Sequence, residues 1–422
     1  MTVTQKIIAA KSGNEKVSAG QIIRAKVDVA MANDITAPVS IKELEKFDKK
    51  VYDPENVIFV LDHFTPNKDI KSAENCRMIR EFCEENNIKK CYSGQCAGIE
   101  HGLLPEQGLV LPGQLILGAD SHTCTYGAIN AFSTGVGSTD LAVAIKTGEC
   151  WLRVPSAIKI ELSGSFKKYV SGKDLILHII GMLGVDGASY KSIEFSGNTE
   201  ALTIDDKFTV CNMGIEAGAK NCVFPADKTV LEYVLEHNRE NKPFKTFEAD
   251  DDAEYERVIK IDLSAIEPIV AYPHLPSNIK TVYEAEKDNI ELDQVVIGSC
   301  TNGRYSDLES AAEVLKGNKV SPTVRTIIIP ATPEIYKKAL KNGILEIFAE
   351  SGCIISPPTC GPCLGGFMGV LAKGEKCAST TNRNFVGRMG HPESEVYLCS
   401  PAVAAQSAIE GKICAPKAQK GV

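Results

Sequence analysis

Short β-branched apolar runs recur along the chain, and each gives way at once to a polar turn. Val57-Ile58-Phe59-Val60 leads into Asp62-His63, Leu115-Ile116-Leu117 into Asp120-Ser121-His122, and Val295-Val296-Ile297 into Gly298-Ser299-Cys300. Ile354-Ile355 leads, through two prolines, into Cys360. Runs without polar alternation are the pattern of strands covered on both faces, as in a parallel sheet. Helical periodicity fills the intervals. Asp69 to Asn87 carries Cys76 and Cys83, with Ile70, Ala73, Ile79 and Phe82, as core or surface positions of an amphipathic helix, and Asp307 to Leu315 carries Leu308, Ala311, Ala312 and Leu315 on one face before Gly317, a natural stop. This alternation predicts an α/β class with parallel sheets. Ligands of such sheets gather beyond the carboxyl ends of strands, so four chemically loaded turns in that position predict a common cleft.

At 422 residues the chain exceeds one ordinary core. Changes of texture divide it into three expected domains: residues 1–157, residues 158–275 with their acidic stretch from Glu248 to Glu254, and residues 276–422 with the cysteine motifs. Pro268, Pro273 and Pro276 mark the expected linker from Pro268 to Asn278. No repeat of fixed period is present.

Composition narrows the function classes. With 44% hydrophobic and 24% charged residues the chain is of the soluble globular kind. A formal charge of -8 argues against a nucleic-acid partner, which selects for a basic face. The opening residues are too short and polar for a signal peptide, and the longest apolar stretch, Leu175 to Val185, is interrupted by His178 and falls far short of the ~20 residues of a membrane span. A cytoplasmic protein with no membrane role is expected. Fifteen cysteines, an odd count, fit a reducing compartment in which most are packing residues.

Three of those cysteines stand in chemical settings: Cys300 in Gly-Ser-Cys-Thr-Asn-Gly-Arg, and Cys360 and Cys363 in Cys-Gly-Pro-Cys. Alone, the Cys-x-x-Cys reads as a redox pair, half a zinc site or cluster ligands. Zinc wants further ligands at similar spacing, and neither Cys377 nor His391 has a close partner in sequence. Three thiolates on a four-iron cube leave one iron open to a substrate oxygen, which makes the cluster a Lewis acid. Histidine is scarce, at seven, and three fall in polar turns: Asp62-His63, Gly-Ile-Glu-His101 and Asp120-Ser-His122. A carboxylate beside an imidazole fits it to deliver a proton, although neighbours on an extended chain point to opposite sides. Arg383 and Arg388 lie five residues apart around Gly387, which suits either capture of carboxylates or a solvated surface. Gly135-Val136-Gly137-Ser138 lacks the ending and spacing of a nucleotide loop.

Taken together, the Cys300 motif, Cys360-Gly-Pro-Cys363, Asn382-Arg383-Asn-Phe-Val-Gly-Arg388, Asp120-Ser121-His122-Thr and Cys211-Asn-Met-Gly-Ile-Glu-Ala-Gly-Ala resemble the aconitase superfamily from end to end. The resemblance implies three α/β domains around a cluster, without the swivelling fourth domain, which a separate small subunit then carries. It implies a 4Fe-4S cluster, one per subunit, on Cys300, Cys360 and Cys363. By the same resemblance Asp62 and His63 match the pair that protonates a departing hydroxyl. His101, Asp120, His122 and Glu194 match the network around the iron-bound water. Asn33, Ser121, Arg383 and Arg388 match substrate contacts, with Asn33 standing where the mitochondrial pattern has glutamine, and Asn302 and Asn382 match positions near the cluster.

The implied reaction is the reversible removal and readdition of water on a small di- or tricarboxylate. The short split architecture favours the isopropyl-substituted malate of leucine synthesis over homoaconitate, citraconate or methylmalate, and 2,3-dimethylmalate. Rival classes are a cluster-sensing RNA-binding regulator, disfavoured by the net charge, and an electron carrier, disfavoured by the want of a fourth cysteine.

Overall fold

Every one of the four apolar runs forms a strand that ends where its polar turn begins. The structure is a computed structural model and describes residues 1–48 and 50–417. The described residues divide into two compact units, those of 1–164 with 186–262 and those of 165–185 with 263–417.

In the first unit five parallel strands stand in the order Cys91–Tyr92, Val57–Val60, Val29–Asn33, Leu115–Gly118 and Phe132–Gly135. The central three are buried at every position, which explains why their sequences do not alternate. Helices Val3–Ser12, Ala37–Glu45, Ile70–Glu85 and Ser138–Thr147 contribute Ile7, Ile41, Ile79, Phe82 and Leu141 to the core that also holds Phe59. The helix expected from Asp69 starts there because the Asp69 carboxylate accepts from Ser72 N at 2.7 Å, a side-chain cap. Cys76 and Cys83 lie on its buried face, as packing residues.

The same unit holds four parallel strands in the order Asn221–Val223, Ser192–Gly197, Ala157–Ser163 and Arg257–Asp262, and an antiparallel pair, Ile22–Lys26 with Glu149–Arg153.

The second unit is built on seven strands in the order Ile279–Thr281, Ile269–Ala271, Glu395–Cys399, Lys376–Ser379, Gln294–Gly298, Arg325–Ile329 and Ile354–Ile355. The last five are parallel and the first two form an antiparallel edge. The stretch from Pro268 to Asn278, expected as a linker, therefore holds the second strand of the sheet, Ile269–Ala271, and the turn that leads to the edge strand Ile279–Thr281. Pro273 and Pro276 sit in that turn, outside the ladder, where a missing N–H costs nothing. Helix Tyr305–Leu315 opens two residues before the Asp307 expected, since the Asp307 carboxylate accepts from Arg304 N at 3.0 Å and closes the first turn. No helix among the described residues is long and apolar enough to cross a membrane.

Candidate functional site

Strands Val57–Val60, Val29–Asn33 and Leu115–Gly118 are parallel neighbours, so the turns leaving their carboxyl ends are neighbours too. Those turns carry Asp62-His63, Asn33-Asp34 and Asp120-Ser121-His122, and helix Glu100–Glu106 adds His101. Asp34 sets the shape of the first turn. Its Oδ1 accepts from Asp62 N at 3.0 Å and His63 N at 2.8 Å, and its Oδ2 accepts from Phe64 N at 2.9 Å. That curl brings side chains that diverge on an extended chain together, and Asp62 Oδ1 lies 2.6 Å from His63 Nδ1.

Asp120 is the hub of the remainder. Its Oδ1 lies 3.0 Å from His101 Nε2 and accepts from His122 N at 2.7 Å, while its Oδ2 lies 3.8 Å from His63 Nε2. His101 Nδ1 meets Tyr126 Oη at 3.1 Å, His122 Nε2 meets Glu216 Oε1 at 2.9 Å, and Ser121 Oγ is 3.5 Å from His122 Nδ1. Gly135 is needed here for space rather than for nucleotide binding, since a Cβ on it meets Asp120 O at 2.7 Å.

Burial and charge set these groups apart. Burial alone depresses the His63 imidazole, but the Asp62 charge and hydrogen bond overcome it and carry the pKa well above the ordinary value. His101 goes the other way, because burial outweighs its bond to Asp120. Burial favours a proton on Asp120, yet the hydrogen bonds from His101 and His122 prevail and hold it well below the usual carboxylate range. The cluster thus joins a charged imidazole, a neutral one and a fixed carboxylate, the separation of roles that acid–base chemistry needs.

Not every expected residue joins this set. Glu194, on strand Ser192–Gly197, accepts from Val3 N at 3.0 Å, Thr4 N at 2.9 Å and Tyr255 Oη at 3.2 Å. It holds the amino terminus of the first helix, and the acid beside His122 is Glu216. Asn33 is buried with its amide engaged: Oδ1 accepts from Ile35 N, Thr36 N and Thr36 Oγ1, and Nδ2 donates to Glu100 Oε1 at 3.1 Å. Sequence reasoning passed over Asp34, Glu100 and Glu216. Glu100 lies inside the quoted Gly-Ile-Glu-His101, where a carboxylate beside a histidine was the available signal, Glu216 lies inside the Cys211 motif, and Asp34 directly follows the candidate Asn33.

The second unit gathers the cysteines. Gly298, at φ +132, ends its strand against Ile329 O, where a Cβ has no room, and Ser299 follows at φ 76. This break turns Cys300 out of the strand onto the short helix Ser299–Asn302. Cys360 and Cys363 stand in a 3-10 turn, closed by Cys363 N donating to Cys360 O at 3.1 Å. All three are buried. The Asn382 amide joins two of them, with Nδ2 donating to Cys300 Sγ at 3.3 Å and Oδ1 3.4 Å from Cys363 Sγ. Arg388 Nη2 donates to Cys363 Sγ at 3.6 Å, whereas the Arg383 guanidinium lies 6.0 Å from the Phe385 ring. Asn302 Nδ2 donates to Asp307 Oδ1 at 2.9 Å.

Behind them, buried Lys173 donates to Thr380 O at 2.7 Å and Thr381 O at 2.6 Å, and burial lowers its pKa to about 8. Buried thiols with amide and guanidinium donors aimed at sulfur suit thiolate ligation of an iron-sulfur cluster, since such donors offset the charge that ligation requires.

A model of the aconitase family (aconitate hydratase) matches residues 5–411. The chain is 59% identical over 419 residues to a 3-isopropylmalate dehydratase large subunit of Clostridium kluyveri, with 99% of each chain covered. It is 58% identical to the protein of that name in Caldicellulosiruptor saccharolyticus, covering 99% of this chain and 97% of that one. It is also 58% identical to a 3-isopropylmalate dehydratase large subunit 1 of Pyrococcus furiosus, covering 99% and 98%. Among solved structures, an aconitase X of Thermococcus kodakaraensis matches with TM-score 0.48 and 13% identity over 90% of this chain and 89% of that one.

Proposed function

We propose, from the premise that the chain belongs to the aconitase family, that it is the catalytic large subunit of a hydro-lyase interconverting 2-isopropylmalate and 3-isopropylmalate in leucine synthesis. The observation that carries this reading is full-length identity near 59% to large subunits of that activity, in a chain that also holds the Asp62-His63 pair and the three cysteines. Cys300, Cys360 and Cys363 are the residues to hold a 4Fe-4S cluster. When bound, the cluster supplies an iron that polarises the carbon–oxygen bond.

His63 is the proton donor. Asp62 at 2.6 Å keeps Nδ1 protonated and raises the affinity of the ring for its second proton, so Nε2 has a proton to give to the departing hydroxyl at neutral pH. Asp120, fixed between His101 and His122, holds the released water for readdition, and Glu216 rather than Glu194 steadies His122. Arg383 and Arg388 bind carboxylates, so that orientation selects the carbon that gains the hydroxyl. Ser121 stands beside His122 for a substrate contact. The carbon-bound proton goes to a base on the small subunit, which also carries the swivelling domain. We place the assembled enzyme in the cytoplasm.

The test is turnover of 2-isopropylmalate by the large and small subunits produced together and loaded with ferrous iron without oxygen. Activity on that substrate above homoaconitate, citraconate and 2,3-dimethylmalate is expected. A preference for another of these moves the chain to a sister activity, and no hydration of any overturns the reading.

A further inference from the structure

Glu100 has no part in the roles assigned so far, yet it stands inside the histidine–carboxylate cluster. Its side chain is buried, its Oε1 lies 3.7 Å from His101 Nε2, and a carboxylate oxygen of Glu100 falls within 4.8 Å of ligand atoms of both His63 and Asp120. Its two oxygens differ. Oε1 accepts the Asn33 amide at 3.1 Å, whereas Oε2 is buried with no hydrogen-bond partner among the described residues. Leaving a buried carboxyl oxygen in that state is costly.

A carboxylic acid accepts at one oxygen and donates from the other. Asn33 claims the accepting role for Oε1, which places the proton on Oε2. The surroundings agree. The charged groups that face Glu100 are Asp62 and His63 from one turn and Asp120 from the next, and the titratable His101 of its own helix faces it as the neutral ring. Burial first, and then the charges of Asp62 and Asp120, push its pKa well above the ordinary carboxylate value, against the opposing pull of His63 and the Asn33 bond. The result is a neutral carboxyl with one uncommitted donor, set beside the charged His63.

We propose that Glu100 is a substrate-binding residue: a protonated carboxyl, oriented by Asn33, whose Oε2–H donates to a carboxylate oxygen of the di-acid substrate. This rests on the functional reading above and deepens it. It also reassigns Asn33, whose amide is engaged within the chain, from a substrate contact to a positioning residue. The hydrogen bond is of the charge-assisted kind, with a neutral donor and an anionic acceptor.

The experiment uses the assembled, iron-loaded enzyme and 2-isopropylsuccinate, the substrate skeleton without its hydroxyl, with the dissociation constant measured by calorimetry from neutral to alkaline pH. Glu100→Val is expected to weaken binding about 10- to 100-fold, the worth of one hydrogen bond to a charged group. Glu100→Gln, which accepts from Asn33 and donates from its amide, is expected to recover at least half of that loss on a logarithmic scale. Wild-type affinity falls as pH rises and the carboxyl ionises, and Glu100→Gln flattens that fall. Equal losses in Gln and Val, no loss in Val, or an unchanged pH dependence in Gln overturns the proposal. Absence of both turnover and binding in the wild-type complex overturns the functional reading instead. Circular dichroism and cluster absorbance confirm that each variant is folded and loaded.

Discussion

His122 Nε2 lies 2.9 Å from Glu216 Oε1, and this contact joins residues 94 positions apart in the chain. Because both atoms are buried, the carboxylate fixes the ring at Nε2 and leaves Nδ1 beside Asp120 and Ser121. Glu216→Gln weakens this hold, and kcat is expected to fall about 10- to 100-fold, the usual effect of losing a partner that orients a functional histidine. KM changes far less. Steady-state kinetics on the assembled enzyme separates the two.

Glu194→Gln is expected to do the opposite. Its carboxylate accepts the first N–H groups of helix Val3–Ser12, so the neutral amide costs stability of about 1 to 2 kcal/mol and leaves kcat within a factor of about two. A lower melting temperature at unchanged turnover is the expected pair of results. A loss of turnover as deep as that of Glu216→Gln restores Glu194 to the network around the water.

The proposed proton delivery needs His63 protonated, and its pKa is raised above the ordinary imidazole value by Asp62. The acid form is therefore populated through neutral pH, and turnover falls only as pH rises through that raised value. Asp62→Asn removes the negative charge, so the alkaline limb of the kcat profile moves to lower pH, toward or below the ordinary value near 6.5. A pH–kcat series on the two enzymes checks the direction.

Lys173 ties two backbone carbonyls next to Asn382 with one buried ammonium. Lys173→Met removes both donors and leaves those carbonyls unsatisfied, at a cost of roughly 3 kcal/mol. Faster hydrogen exchange in the neighbouring residues 382–384 and loss of iron on dilution are expected. Unchanged exchange contradicts the role given to the lysine.

The fold was legible where a local pattern decides it. Val57–Val60, Leu115–Leu117 and Val295–Ile297 show by their unbroken apolar runs that they are covered on both faces, and the turns after them carry the candidate site residues, as parallel topology favours. The Asp62-His63 pair was legible only as a neighbourhood, because the curl that joins the side chains is made by Asp34, in the turn after another strand. Glu194 and Glu216 show the limit. Both are acids near apolar residues, and only long-range packing decides that one reaches the first helix and the other His122. The segment after Pro268 misled because prolines mark an edge turn as readily as a linker.

The central claim is that Cys300, Cys360 and Cys363 leave one iron of a cube open to substrate. Mössbauer spectroscopy of the iron-57-loaded complex, before and after addition of 2-isopropylmalate, tests it most directly. The expected spectrum is that of a four-iron cluster in which a single iron site changes on adding substrate, with no such cluster in Cys360→Ser. A spectrum without a four-iron cluster, or one in which no iron site responds, contradicts the account.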